Sequence, residues 1–284
     1  MANGAKPLIA IQGERGSFSH EVAERLFGKG VAILECETFP KLFASTFGRA
    51  AKADAALVPI ENALYGSIHQ NFDLLLKHRA TIFAEAYHRI ELCLIGLSGK
   101  TIERGSTVLV HPVAAGQCTG FLKKHRLKVQ LAADTAGAVR DLVERKPAGT
   151  YAIASAHAAK LYGAQVLARG IEDDAKNFTR FLAVSEKPRQ LKRSGDGHKT
   201  SLAFVLPNTP GSLFRALGAF SLRDVDLAKL ESRPMRGRPF EYLFYLDVVG
   251  SLSDRNVQRA VEHLREIVEQ LWVLGSYPRH AARE

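Results

Sequence analysis

Along the first two-thirds of the chain, short runs rich in Ile, Val and Leu alternate with stretches whose apolar residues recur at helical spacing. That alternation admits few folds. A strand–helix rhythm buries its apolar faces when helices cover a sheet, which predicts an α/β architecture with mostly parallel strands. The runs 8–12, 31–35, 55–59, 81–86, 90–96, 107–110, 128–131 and 151–154 read as strands, and 19–27, 39–50, 67–78, 113–125 and 135–145 read as helices. Ser19 is placed to cap the first helix, with Glu21 in its first turn and Gly28 as its stop signal. The helix 67–78 carries Ile68, Phe72, Leu75 and Leu76 on one face.

The rhythm breaks at 186–199, where Pro188, Gly195, Gly197 and five Lys or Arg leave few apolar residues and predict a solvated linker. Beyond it the order is strand 201–206, helix 210–222, strand 227–233, strand 240–249, helix 253–269 and strand 271–275. That is βαββαβ, the ferredoxin-like order. Thr209 followed by Pro210 supplies a cap and a preset first-turn residue for its first helix. No internal repeat at a solenoid period is present. With 284 residues the chain has room for two domains, and we divide it into 7–186, a linker 187–199, and 200–278.

Charge and cysteine content narrow the function classes. Thirty-nine Lys and Arg against 29 Asp and Glu give a net charge of +10, which attracts anions. The bases are spread along the chain without an aromatic-studded basic block or helix-turn-helix pattern, so nucleic acid is not the expected partner and a small anionic substrate is equally consistent. Three cysteines without Cys-x-x-Cys spacing indicate neither a disulfide framework nor a thiolate zinc site and fit a reducing compartment. No run approaches the length of a membrane span, and the expectation is a cytoplasmic protein.

Polar residues that could carry chemistry gather where strands end. Gly13 to His20 joins the first strand to the first helix, where backbone N–H groups can approach an anion, although alone this is a weak signal and a tight turn with a Ser cap is the favoured account of it. Glu61 and Asn62 close a strand ahead of Gly66 and Ser67, at the edge of a sheet where ligands bind in open α/β folds; Asn62 also suits a plain turn. His111 and Pro112 follow another strand, with Gln117 farther along the next helix, and Asp134 reads as a helix cap. The densest cluster is Asn177-Phe178-Thr179-Arg180-Phe181, which joins an amide, a hydroxyl and a planar guanidinium fork suited to carboxylate. In an extended segment Asn177, Thr179 and Phe181 share one face and Arg180 the other, so convergence needs a bend or a strand end. No Ser/His/Asp order, His-Glu-x-x-His, dinucleotide fingerprint or phosphate loop appears, and no metal or nucleotide cofactor is expected.

Taken together, Gly16-Ser17-Phe18-Ser19, Pro59-Ile60-Glu61-Asn62 with Gly66, His111-Pro112 with Gln117-Cys118, and Asn177 to Phe181 resemble, in their order, the motifs of the prephenate dehydratase family, which includes arogenate dehydratases. The resemblance covers nearly the whole chain. The C-terminal part is similar to the family's ACT regulatory domain, with Gly211, Ser212 and Leu213 and then Glu231, Ser232, Arg233 and Pro234 where the family has its phenylalanine-binding motifs. Ala63 and Val110 stand where the family commonly has Ser, Val113 where Gln is frequent, and Ser212 where Ala is usual.

The resemblance implies two α/β lobes like those of type II periplasmic binding proteins, about 8–86 with 179–185 and about 90–173, with the site between them. It implies a cofactor-free decarboxylating dehydration of prephenate to phenylpyruvate. Thr179 would donate to the leaving hydroxyl, and Asn62 and Gln117 would help to stabilise it. Arg180 and the N–H groups around Ser17, Phe18 and Ser19 would hold the carboxylates, with Glu61, His111, Asn177 and Phe181 lining the substrate. The resemblance further implies phenylalanine as effector and a homodimer or homotetramer. Arogenate dehydration is the alternative reaction, and a phenylalanine sensor without turnover the alternative from another class; a nucleic-acid binder rests on charge alone.

Overall fold

The computed structural model describes residues 6–191, 197–235 and 241–280. The chain divides into two compact units, Met1–Leu74 with Ala86–Phe181, and Leu75–Glu85 with Leu182–Glu284.

The first lobe begins with strand β1 (Leu8–Gln12), helix α1 (Phe18–Phe27), strand β2 (Ala32–Cys36), helix α2 (Phe39–Thr46) and strand β3 (Ala55–Asn62). β1 is central because both its faces are apolar, and it pairs in parallel with β2 and β3. Its Ile9 and Ile11 are fully buried, as are Val22 of α1 and Leu42 and Phe43 of α2; each such side chain contributes roughly 1.5–3 kcal/mol by leaving water. A two-residue strand β4 (Gly66–Ser67) turns back on β3, helix α3 (His69–Lys77) follows, and β5 (Thr81–Arg89) leads onward. The returning strand β11 (Phe178–Ser185) completes the order β2-β1-β3-β11-β5.

The second lobe is built from β6 (Cys93–Gly96), β7 (Thr107–Val110), helices α4 (Pro112–Gln117) and α5 (Thr119–His125), β8 (Lys128–Leu131), α6 (Thr135–Arg145), β9 (Thr150–Ala154), α7 (Ala156–Tyr162) and β10 (Gln165–Arg169). Its sheet order is β10-β6-β9-β7-β8. β7 is parallel to β8 and β9, whereas β6 is antiparallel to β9 and β10. The second lobe's sheet is therefore mixed rather than mostly parallel, since the chain returns through β6 and β10 from the opposite direction. The helix expected over 113–125 is two helices. Cys118 leaves the helical path with φ −122 and ψ 26, and the Asp173 carboxylate accepts the N–H groups of Thr119 and Gly120, each at 2.9 Å, as an external cap for the second. The helix expected over 39–50 stops at Thr46, ahead of Gly48 with φ 83. α7 and β10 carry no expectation from sequence, although Ser155 and left-handed Gly163 bracket α7 as cap and stop.

In the second unit, β12 (His198–Val205), α8 (Ser212–Ser221), β13 (Leu227–Pro234), β14 (Tyr242–Val249), α9 (Arg255–Ile267) and β15 (Gln270–Pro278) follow the βαββαβ order. Their antiparallel sheet runs β13-β14-β12-β15, and both helices cover one face through Ala216, Phe220, Val257, Val261 and Leu264 against Leu202, Phe204 and Leu246. β12 starts three residues before the expected strand because Lys199, on the sheet's other face, is buried in an ion pair with Glu85. No described helix is long and apolar enough to cross a membrane.

Candidate active site

The loop that closes β3 is tied down by its own asparagine. Asn62 Oδ1 accepts the N–H groups of Leu64 at 3.0 Å and Tyr65 at 3.1 Å, and left-handed Gly66 turns the chain into β4. With its oxygen committed, the amide can present only its nitrogen to the neighbouring strand. Nδ2 donates to Asn177 Oδ1 at 2.8 Å and to Thr179 Oγ1 at 2.9 Å. The Ala63 N–H donates to the Phe178 carbonyl at 2.8 Å, which locks the two segments in register. Asn62 thus joins Asn177 and Thr179 in one cluster.

The direction of these bonds sets the chemistry. Thr179 Oγ1 is an acceptor from Asn62, so its own hydrogen is left to point elsewhere, and an oxygen that accepts one hydrogen bond is a stronger donor of the next. Thr179 is 8% exposed and Asn177 is fully buried. Asn177 Nδ2 has no partner among the described residues, and an orphaned buried donor of this kind costs about 1–3 kcal/mol. Such a cost recurs where a site awaits a ligand.

The second lobe contributes α4. His111 caps it, accepting the Val113 N–H at Nδ1 at 3.3 Å, which leaves the proton of a neutral ring on Nε2. Gln117 ends the helix, nearly buried, and its carbonyl accepts the Asp173 N–H at 2.7 Å. Asp173 thereby fixes both sides of the break, and the Thr119 hydroxyl that it accepts, with the two N–H groups, holds its carboxyl below the usual carboxylate range. The Tyr65 hydroxyl lies 3.8 Å from where a Cβ on Gly116 would stand, so the loop after Asn62 reaches across to the helix that carries Gln117.

The loop 13–19 is bedded on α7. Ser155 Oγ donates to the Gly16 carbonyl and the Tyr162 hydroxyl to the Arg15 carbonyl, each at 3.0 Å. Gly16 has φ 89, and a Cβ there would meet Ala158 Cα at 3.2 Å, so close approach and a left-handed backbone both demand glycine. Ser17, rather than Ser19, is the cap of α1, accepting the His20 N–H. Phe18 and Ser19 occupy the first turn, whose N–H groups are the natural anion donors of a helix start.

The remaining expected residues are more scattered. β11 is extended through residues 178–185, so strand alternation sends Arg180 to the face opposite Thr179, where its buried guanidinium stands 5.9 Å from the ring centroid of Tyr87. The strand supplies no bend to bring the two together. Phe181 is buried, and Glu61 is half-buried opposite Ser67. In the second unit Gly211 takes φ 78 ahead of α8, buried Ser212 bonds the Thr209 hydroxyl at 2.7 Å, and Leu213 packs on the core. Glu231 pairs with Lys229 at 2.9 Å on β13, and Arg233 is half-buried there while Ser232 and Pro234 are exposed. The cysteines offer no nucleophile: burial pushes the Cys93 thiol up to about 11 and Cys118 to about 12. The contact that sequence reasoning missed is Asn62 with Asn177, because 115 residues separate them and no spacing rule links them.

A family model described as prephenate dehydratase matches residues 9–189. Arogenate dehydratase/prephenate dehydratase 2 of Arabidopsis thaliana, a chloroplastic protein, is 40% identical over 287 residues, covering 98% of this chain and 74% of its own. The solved structure of prephenate dehydratase from Arthrobacter aurescens in complex with L-Phe is similar with a TM-score of 0.84 and 29% identity, covering 96% of this chain and 90% of its own. A structure described as GqqA, a novel type of quorum quenching acylase, reaches a TM-score of 0.85 at 34% identity, covering 98% of this chain and all of its own.

Proposed function

The chain belongs to the prephenate dehydratase family, and from that premise we propose that it converts prephenate to phenylpyruvate with Thr179 as the donor to the departing hydroxyl. The ring carboxylate leaves as CO2 while the C4 hydroxyl takes a proton and leaves as water. Aromatisation drives the step, and the poor leaving group limits it. The observation that carries the reading is the Asn62 Nδ2 to Thr179 Oγ1 bond at 2.9 Å: it polarises the hydroxyl and aims its hydrogen away from the amide. Positioned donation of this kind is worth about 10²–10⁴-fold.

Asn62 acts through Thr179, because both amide hydrogens are already committed. Gln117, at the end of the short α4, is assigned as the second amide that stabilises the departing oxygen. The N–H groups of Phe18 and Ser19 take a substrate carboxylate at the start of α1, and His111, Glu61 and Phe181 shape the surroundings. Arg180, turned away on its strand, supplies positive field rather than a direct grip. That suits a reaction in which a carboxylate held too strongly would be stabilised against loss.

The second unit is read as an ACT-type regulatory domain on its βαββαβ order and sheet. Phenylalanine would bind near Gly211–Leu213 and Glu231–Pro234 between neighbouring chains. Phe214 and Leu222 of this unit are each 80% exposed, which favours an assembly that covers them. The cysteines, free and buried, suit a reducing compartment such as cytoplasm.

Purified protein incubated with prephenate, with phenylpyruvate read by its absorbance in alkali, tests the reading; a folded protein giving no product above the blank rejects it. Arogenate is the second substrate to assay, favoured by the arogenate dehydratase names of the plant relatives, and kcat/KM for the two decides between them. Acyl transfer, suggested by the acylase neighbour, would need a base on Thr179, yet the partner found there is an amide that cannot take a proton.

A further inference from the structure

His20 and Glu24 stand one turn apart on α1 of the first lobe, and His157 is the second residue of α7 in the second lobe. Three ligand-type atoms, one from each, lie within 4.8 Å of one another. We propose that His20, Glu24 and His157 form a binding site for a divalent transition metal, with Zn2+ as the best match, that ties α1 to α7.

The distances fit a metal better than they fit a hydrogen-bonded pair. His157 Nε2 lies 3.4 Å from His20 Nδ1 and 4.0 Å from Glu24 Oε2. Two nitrogens bound at 2.0–2.1 Å on a tetrahedral ion stand about 3.3–3.4 Å apart, which is the separation already present between the rings. Glu24 Oε2 has to close by about 0.7 Å on His157 Nε2, a movement open to a side chain that is one-quarter exposed.

The carboxylate is already oriented for a metal, whereas His20 has to exchange a hydrogen bond for it. Glu24 Oε1 accepts the Gly30 N–H at 3.0 Å, which orients the carboxylate and leaves Oε2 toward the rings. His20 Nδ1 accepts the Gly16 N–H at 3.0 Å, so the atom facing His157 is unprotonated and the proton between the rings sits on His157. A metal takes the place of that proton and takes the Nδ1 lone pair from Gly16. Two imidazoles and one carboxylate select Zn2+, Co2+ or Ni2+ over Mg2+ and Ca2+ and leave a fourth position for water. Sequence reasoning passes over the set because His157 lies 137 residues from His20.

The full chain, stripped with a chelator, is titrated with Zn2+ against a chromophoric competitor and with Co2+ followed by its visible absorption. The expected result is one equivalent per chain, a Tm raised by Zn2+ but not by Mg2+, and binding at least tenfold weaker in His157→Ala and Glu24→Gln. His125→Ala, on α5 outside the cluster, leaves binding unchanged. Two results overturn the site: no stoichiometric Zn2+ or Co2+ binding, or equal binding by wild type and by whichever of the two cluster variants folds.

Discussion

Asn62 and Thr179, 117 residues apart in sequence, are joined by one hydrogen bond of 2.9 Å in which the amide is the donor. A threonine hydroxyl in water rotates freely and is a weak acid. Here one lone pair is taken, the side chain is 8% exposed, and the hydrogen is left for another acceptor. In the reaction proposed above the hydroxyl is thereby prepared before substrate arrives, which is the condition for stabilising a transition state without reorganisation.

Thr179→Val keeps the shape and removes the donor. We expect kcat for prephenate to fall by about 10²–10⁴-fold with KM within a few-fold, and Thr179→Ser to recover much of the rate. Steady-state kinetics on the three proteins check this. A loss confined to KM would contradict the assigned role.

Asn62→Asp replaces a donor by an acceptor at the same place. The Thr179 hydrogen would then turn toward the new carboxylate and away from the substrate, so kcat should drop at least tenfold while the Asx turn to Leu64 and Tyr65 survives. Unchanged kcat in a folded Asn62→Asp protein would mean that the amide does not set the hydroxyl's direction.

Gly16→Ala forces a β-carbon into a left-handed backbone against Ala158. We expect about 1–3 kcal/mol of lost stability and a KM that rises more than kcat falls, because the displaced loop carries the Phe18 and Ser19 N–H groups. Urea denaturation with substrate-dependence curves reads both effects, and a neutral outcome in both would remove the loop from carboxylate binding.

Lys199 Nζ reaches both oxygens of Glu85, at 3.0 and 2.9 Å, with side-chain exposures of 3% and 0%. Breaking such a pair leaves a buried charge uncompensated, so Lys199→Met should cost about 3–5 kcal/mol, and adding Glu85→Leu should restore most of it. Chemical denaturation of the single and double variants measures the difference. Additive losses would show that packing, not pairing, dominates at this site.

Burial holds the Cys93 and Cys118 thiols at about 11 and about 12, above the ordinary 9.0. A thiol that ionises less readily in the folded chain than in the unfolded one stabilises the fold fully below pH 9. That contribution is lost as pH rises from there through the folded values, since the unfolded chain releases its protons first. The unfolding free energy should therefore fall more between about pH 8 and about pH 10 in the wild type than in Cys93→Ala/Cys118→Ala. Equal falls would exclude the thiols as the cause.

Local pattern carried most of the fold. β1, β7, β8 and α6 end where period and caps place them, because Ile9 and Ile11, or Asp134 and its helix, act within a few residues of themselves. The helix break at Cys118 was not legible, since the group that causes it, Asp173, arrives from 54 residues away. Strand alternation already sets Arg180 opposite Thr179, and what the structure adds is that β11 runs through both without a bend.

The sequence by itself determined the α/β alternation and the βαββαβ tail, and it singled out the amide, hydroxyl and glycine residues proposed for the site, because periodicity and motif order are properties of neighbours along the chain. Only the tertiary structure decided how those groups work: that Asn62 faces Thr179 and Asn177 together, that Arg180 turns away, and that His20 and Glu24 meet His157. A hydrogen bond or a ligand set depends on distances of about 3 Å between atoms, and separation along the chain does not report them.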